Sequence, residues 1–144
     1  FSNSACEVGY MHHGKVSFQD LASTTALVQR VSQLKQENIS EWNGRKIFEL
    51  AKSGDVQCEK AIQEMVNVLC EGISNICYVL NPQVVILGGG IMSQAEYLEP
   101  LFAKTLSQYL VSSILEKTTL TFATHQNNAG FLGAFYHFKQ KHEK

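Results

Sequence analysis

The sequence predicts an α/β fold, helix-rich and closing in a β-α-β-α unit. Three observations carry this. Apolar residues recur every three or four positions over long stretches. A continuous aliphatic run, "QVVIL", lies between Asn81-Pro82 and Gly88-Gly89-Gly90. A second strand-like run, Thr118 to Thr124, precedes a final helical pattern. With 144 residues, 44% of them hydrophobic and 17% charged, the chain can bury one respectable core and is expected to be a single domain.

Taken in order, residues 1–20 lack any sustained period and contain Gly9, Gly14, His12 and His13. They read as loop, with at most a short strand around Val8 to Met11. "STTALVQRVSQL" then offers Ser23 as an N-cap and Leu27, Val28, Val31 and Leu34 at helical spacing. "NGRKIFELAKSGD" is a shorter helix opened at Asn43-Gly44 and closed at Gly54. The longest helix starts from Asp55 as N-cap, with Ile62, Met65, Val66, Leu69, Ile73, Ile76 and Leu80 along one side. It runs over about 25 positions, roughly 38 Å. Asn81-Pro82 ends it, because proline lacks the N–H that the ladder needs and disfavours helical geometry in the residue before it.

"QVVIL" is aliphatic without alternation, which predicts a strand buried on both faces as in a parallel sheet. Beyond the glycines, Ser93 and Glu96 read as a capping box, followed by Leu98, Leu101, Phe102, Leu106 and Leu110 as the stripe of another helix that contains Pro100. The strand Thr118–Thr124 and a closing helix from Asn127, with Ala129, Leu132, Phe135, Tyr136 and Phe138, complete a β-α-β-α end with parallel strands. Two strands are few for a stable sheet. The remaining strands are expected upstream of Phe1, since the chain opens without methionine or a signal-peptide pattern and reads as a piece of something longer.

Composition excludes some classes of partner. Twelve basic and thirteen acidic side chains give a net charge of −1, which offers no electrostatic footprint for duplex nucleic acid or an anionic membrane. The apolar runs fall far short of the roughly 20 residues of a membrane span. Cys6, Cys58, Cys70 and Cys77 show no C-x-x-C spacing and read as reduced core cysteines, so a cytoplasmic setting is expected.

Gly88-Gly89-Gly90 follows a strand and precedes a helix, where backbone N–H groups and the helix dipole can face an anion. As a bare pattern it matches neither the dinucleotide fingerprint nor the phosphate loop, so a phosphate site and a simple turn both remain open. Among the single residues, His125 follows the second strand near the edge where α/β ligands bind, and reads as structural. Trp42 and Tyr78 read as packing residues.

"NPQVVILGGGI" resembles the second nucleotide-binding segment of the ROK family (repressors, open reading frames, sugar kinases), part of the actin-like ATPase superfamily with its ribonuclease H-like fold. "NNAGFLGA" is similar to that family's closing helix, where Ala129, Gly130 and Gly133 would permit tight packing on the sheet. "CEVGYM" looks like its G-E-[IVL]-G-H-[ML] segment, and "FQDLASTTALV" like the stretch leading into the next helix. The resemblance spans Ala5 to about Phe138 and implies the carboxy-terminal half of a sugar kinase acting on a hexose or N-acetylhexosamine such as glucose or N-acetylmannosamine.

It further implies that Glu7, Tyr10 and Gln19 contact the sugar, that Gly88, Gly89 and Gly90 contact the nucleotide, and that ATP and magnesium serve the full-length protein. A carboxylate at position 7 suits hydroxyl recognition through charge-assisted hydrogen bonds. The chain departs from the pattern at Tyr10, where many members have histidine, and at Gln19, where they have glutamate. It also lacks the C-x-C-G-x-x-G-C zinc loop, with Ser17 at the place of the last cysteine, so no zinc is expected and His12 and His13 read as loop residues.

The catalytic aspartate and the D-x-G-G-T phosphate loop belong to the family's amino-terminal half, so this chain alone is expected to be inactive. A homodimer is the family-based expectation. The alternative is the sugar-sensing domain of a ROK-type repressor, the one reading that brings in nucleic acid. A Rossmann-type domain would require an acid at the end of a second strand some 20 residues past the glycines, where this sequence reads as helix.

Overall fold

The computed structural model describes residues 7–123 and 128–142. A 3-10 turn, Val8–Tyr10, leads into a hairpin of β1 (His12–His13) and β2 (Val16–Ser17), antiparallel about Gly14 at φ 63°. The short helix α1 (Phe18–Ala22) starts directly from it, and Ser17 Oγ caps it by accepting the Asp20 N–H. This corrects two expectations for the opening: Val8 to Met11 forms no strand, and "FQDLA" is helical. Both elements are too short to leave a period in the sequence.

The helical body follows the sequence closely. Helix α2 (Thr24–Lys35) is capped by Ser23 and ends at Gln36 in the left-handed region. After a 3-10 turn at Ile39–Glu41, α3 (Gly44–Lys52) is capped by Asn43 Oδ1, which accepts the Lys46 N–H at 3.0 Å. Helix α4 (Val56–Leu80) is capped by Asp55, which accepts from Gln57 and Cys58, and ends at Asn81, φ 46°, before Pro82. Strand β3 (Val84–Leu87) leads through the glycines and a 3-10 turn at Gly90–Gln94 to α5 (Ala95–Tyr109), which contains Pro100. Then come α6 (Ser112–Leu115), β4 (Thr119–Phe122), paired parallel with β3 in register Val84–Thr119, and α7 (Ala129–His142).

The core lies among α2, α3, α4 and α5, where Leu27, Val31, Ile47, Phe48, Ile62, Met65, Leu98 and Phe102 are fully buried. Cys58, Cys70 and Cys77 are buried, free thiols. Burial pushes Cys58 up to about 11 and Cys70 up to about 12; such thiols are inert packing groups at neutral pH. Cys6 lies outside the described residues. Trp42 packs in the core as expected. Tyr78 does not: it is half exposed, and its hydroxyl accepts from the Val111 N–H and donates to the Tyr109 carbonyl, strapping the α5–α6 connection to α4.

Three further expectations are corrected. Strand β3 is covered on one face only: Val85 and Leu87 pack inward, while Val84 and Ile86 are exposed, and β4 alternates likewise. A continuous aliphatic run registers two covered faces, and the second cover is not supplied among the described residues. Helix α7 does not pack tightly on the sheet, because Gly130 and Gly133 face open space and Phe131, Phe135 and Phe138 are exposed. Ser93 caps nothing; its hydroxyl donates to the Gly90 carbonyl inside the 3-10 turn, and α5 starts two residues later without a side-chain cap bond. Among the described residues no helix is long and apolar enough to cross a membrane.

Candidate functional site

Strand β3 delivers the chain into the three glycines. Gly89 sits at φ 101°, ψ 172°, a region essentially reserved for glycine. Gly88 lies against Ala123 at the end of β4, with room for ordinary contact at 3.9 Å. Gly90 begins the 3-10 turn and, with Ser93 and Gln94, lines a cavity of about 330 Å³. Of the three glycines predicted to meet a nucleotide, one therefore lines the space, one sets the backbone path and one packs on the neighbouring strand.

The rest of this cavity is built by the beginnings of two helices, Thr24 of α2 and Gly44 and Arg45 of α3, together with Phe48 further along α3. These helix starts abut, since a Cβ on Gly44 would come within 3.3 Å of Thr24 Cγ2. Two contacts hold α3 against the glycine turn and the start of α5. Lys52 Nζ donates to Gln94 Oε1 at 2.7 Å, and the Phe48 ring meets Tyr97 edge-on at 5.7 Å. First-turn N–H groups have no partners within their helix, and each helix start carries a partial positive charge. Arg45 adds a full cation, exposed and paired with no carboxylate among the described residues. Among the described residues no carboxylate lines the cavity. The arrangement favours an anion, and glycine at the wall lets its backbone come close.

A second cavity, about 440 Å³, lies along α1 and α2 and is lined by Gln19, Asp20, Ser23, Thr25, Ala26 and Gln29. The first turn of α2 is thus shared: Thr24 faces one cavity, Ser23 and Thr25 the other. Gln19 rests against the Val8–Tyr10 turn, and a Cβ on Gly9 would lie 3.2 Å from its Oε1. This close approach brings Gln19 beside the turn that Glu7 precedes and Tyr10 ends. Glu7 and Tyr10 are exposed and do not line the second cavity.

His13 Nδ1 lies 3.1 Å from Glu71 Oε1, and both His12 and His13 are exposed and line a small cavity with Phe18, Glu71 and Gly72. Among the described residues no group of three or more His, Cys, Asp or Glu is placed to hold a metal ion. His125 lies outside the described residues. Sequence reasoning passed over Thr24, Arg45 and Gln94. The available signal was a basic residue in the first turn of a helix opened by Asn-Gly, which acquires meaning only when that turn is brought next to the glycines.

The sequence model of the ROK family matches residues 12–141. The chain is 42% identical over 144 residues to an uncharacterised protein of Clostridium perfringens, covering 100% of this chain and 49% of that protein. It is 32% identical over 148 residues to a beta-glucoside kinase of Listeria innocua, covering 97% and 49%. It superposes on the crystal structure of a ROK family protein from Streptococcus pneumoniae in complex with sucrose with a TM-score of 0.78, at 27% identity, covering 95% of this chain and 49% of that one. A ROK family glucokinase from Streptomyces griseus, in complex with glucose and AMPPNP, gives a TM-score of 0.77 at 20% identity, with coverages of 90% and 50%. The chain spans about half the length of the relatives it matches. Its fold is that of the ROK sugar kinases, an actin-like ATPase fold.

Proposed function

The chain belongs to the ROK family, and from that premise we propose that it is the sugar- and nucleotide-contacting part of an ATP-dependent sugar kinase, one domain that forms the carboxy-terminal portion of a longer protein. One observation carries the reading: the glycine turn, two capped helix starts and Arg45 converge on a single cavity, and among the described residues no carboxylate lines it or pairs with Arg45. ATP fits that chemistry. Its phosphates meet the helix starts and the guanidinium, and the open backbone at Gly90 admits the nucleoside. Phosphoryl transfer depends on positioning and charge neutralisation more than on covalent chemistry by the protein. Magnesium, when bound, would neutralise phosphate charge there, and the lining residues of this cavity offer it no carboxylate ligand among the described residues.

Glu7 accepts hydrogen bonds from sugar hydroxyls, with Gln19 as neutral donor and acceptor and Tyr10 beside them. Replacing a family glutamate by Gln19 removes one charge from this set and shifts the preference among sugars. The beta-glucoside kinase relative makes a hexose or a glucoside the substrate class to test first. The aspartate that takes the hydroxyl proton is assigned to the segment preceding this chain, along with the first phosphate loop.

Calorimetry on the 144-residue chain tests the reading with Mg-ATP, glucose, cellobiose and N-acetylmannosamine as titrants. Glu7→Ala is expected to weaken the bound sugar by about tenfold or more, the loss typical of a charged hydrogen-bond partner, and Arg45→Glu to weaken ATP with sugar affinity unchanged. Equal sugar binding by wild type and Glu7→Ala would sink the sugar assignment. Sugar binding with no ATP affinity would favour the sugar-sensing repressor, and sugar-dependent ATP turnover by this chain would overturn the placement of the catalytic groups elsewhere.

A further inference from the structure

Helix α4 carries a glycine, Gly72, that is buried in mid-helix. Glycine there is unfavourable for the helix relative to alanine, so the position needs a compensating contact. The contact is the ring of Phe18: a Cβ on Gly72 would lie 2.7 Å from Phe18 Cζ and nearer still to Cε2, a separation real side chains do not adopt. The ring therefore occupies the space that a methyl group would take. One residue earlier on α4, Glu71 holds His13 of the β1–β2 hairpin at 3.1 Å. Both grips fall on the same short segment, residues 13–18.

That segment is continuous with the groups assigned to the sugar. The Phe18 N–H donates to the Met11 carbonyl at 2.7 Å, Met11 in turn donates to Val8, and Tyr10 donates to Glu7. On the other side Gln19 follows Phe18 directly and lies against Gly9. Displacing the Phe18 ring therefore moves Gln19 and, through Met11, the turn after Glu7.

We propose that Phe18 seated on Gly72 and His13 paired with Glu71 form a clasp that fixes the sugar-contacting segment to α4, making Gly72 and Glu71 positioning residues for sugar affinity. The clasp rests on the proposed sugar assignment for its consequence but not for its geometry. The same helix runs on to Asn81 and into β3, so its far end leads toward the glycine turn, which the clasp does not touch.

The test uses the 144-residue chain in four variants: Gly72→Ala, Phe18→Ala, the double variant, and Glu71→Gln. Backbone hydrogen exchange at Met11, Phe18 and Ser23 is read beside calorimetry with glucose and cellobiose, and with Mg-ATP as the control ligand. Gly72→Ala is expected to speed exchange at those amides and to weaken sugar by about tenfold, as small misplacements of binding groups do, leaving ATP affinity within about twofold. Phe18→Ala removes the ring, so adding Gly72→Ala to it is expected to cost nothing more, a non-additivity that marks direct coupling. Glu71→Gln gives the same pattern, weaker. Unchanged exchange and sugar affinity in Gly72→Ala, or additive losses in the double variant, overturn the clasp. A wild type that binds neither sugar refutes the functional reading instead, and hydrogen exchange then decides the clasp alone. Should Gly72→Ala not fold, Glu71→Gln and Phe18→Ala decide it by the same two readouts, since loss of sugar affinity without loss of ATP affinity is not produced by a general loss of stability.

Discussion

Phe102 and Phe135 are the same residue in two helices of one chain, and their surroundings are opposite. Phe102, in α5, is fully buried and meets the Phe122 ring edge-on at 6.0 Å. Phe135, in α7, is 60% exposed, beside Phe131 and Phe138 that are more so. The sheet repeats the contrast, with Val85 and Leu87 against the core and Ile86 65% exposed. The four-helix body is a finished hydrophobic unit. The outer face of the sheet and α7 have the composition of core without its cover among the described residues, and large apolar faces of that kind mark contacts with further structure.

Mutation at the two phenylalanines is the sharpest way to break this comparison. Phe102→Ala is expected to destabilise the chain by about 3–5 kcal/mol, the combined transfer and cavity cost of a buried aromatic. Phe135→Ala should stay within about 0.5 kcal/mol, as exposed substitutions do. Urea unfolding of both variants measures the difference. A loss at Phe135 approaching that at Phe102 would mean that α7 is packed in solution, and the contrast between the two regions would disappear.

Glycines give the next contrast. Gly89→Ala forces a side chain into φ 101°, ψ 172°, and is expected to cost about 1–3 kcal/mol and to weaken Mg-ATP together with stability. Gly133→Ala, inside α7 with nothing near its Cβ, should instead stabilise the helix by about 0.5–1 kcal/mol. Circular dichroism melts and calorimetry with Mg-ATP read both. The opposite signs are the content of the prediction: the turn after β3 uses glycine for its backbone, whereas α7 carries a glycine for which no described contact gives a reason.

The same division decides what was legible in the sequence. Helices α2, α3 and α4 could be placed because period and cap agree in each, through Ser23, Asn43 and Asp55, and local signals need no partner to be read. The strand at Val84–Leu87 was found from its aliphatic residues, but its second face was assigned a cover that no described residue provides. Ser93 and Glu96 have the spacing of a capping box, yet the 3-10 turn shifts the helix start past Ser93, and spacing does not encode that shift. Of the candidate site, Gly90 was visible as part of a glycine run, while Arg45 and Thr24 join it only through the packing of α2 against α3. Gly72 left a trace, an unexplained glycine inside a strong helical pattern, but its partner Phe18 is 54 positions away.

An electrostatic seam supplies the smallest expected effect and keeps it inside the finished body. Lys35, at the end of α2, forms an ion pair with Asp55, the cap of α4. The Lys35 hydrogen bond, followed by the Cys58 N–H, holds the Asp55 carboxyl down at about 2, against an ordinary value of 3.8. The unfolded chain therefore takes up this proton first as pH falls. The seam's contribution is complete above about pH 4 and is lost as pH drops through about 2. Lys35 is raised above its ordinary 10.5 by the same hydrogen bond, so its share is present below that value and fades only at higher pH. Asp55→Asn keeps an effective cap and removes the charge. Melting temperatures of wild type and variant are expected to differ at pH 6 and to converge between pH 4 and pH 2, by a small margin because solvent reaches both groups. The exposed aromatics of α7 should not respond over that range. A difference between the two proteins that persists unchanged at pH 2 would show that Asp55 stabilises α4 by capping geometry alone, and that α2 and α4 are held together by their apolar faces without help from the ion pair.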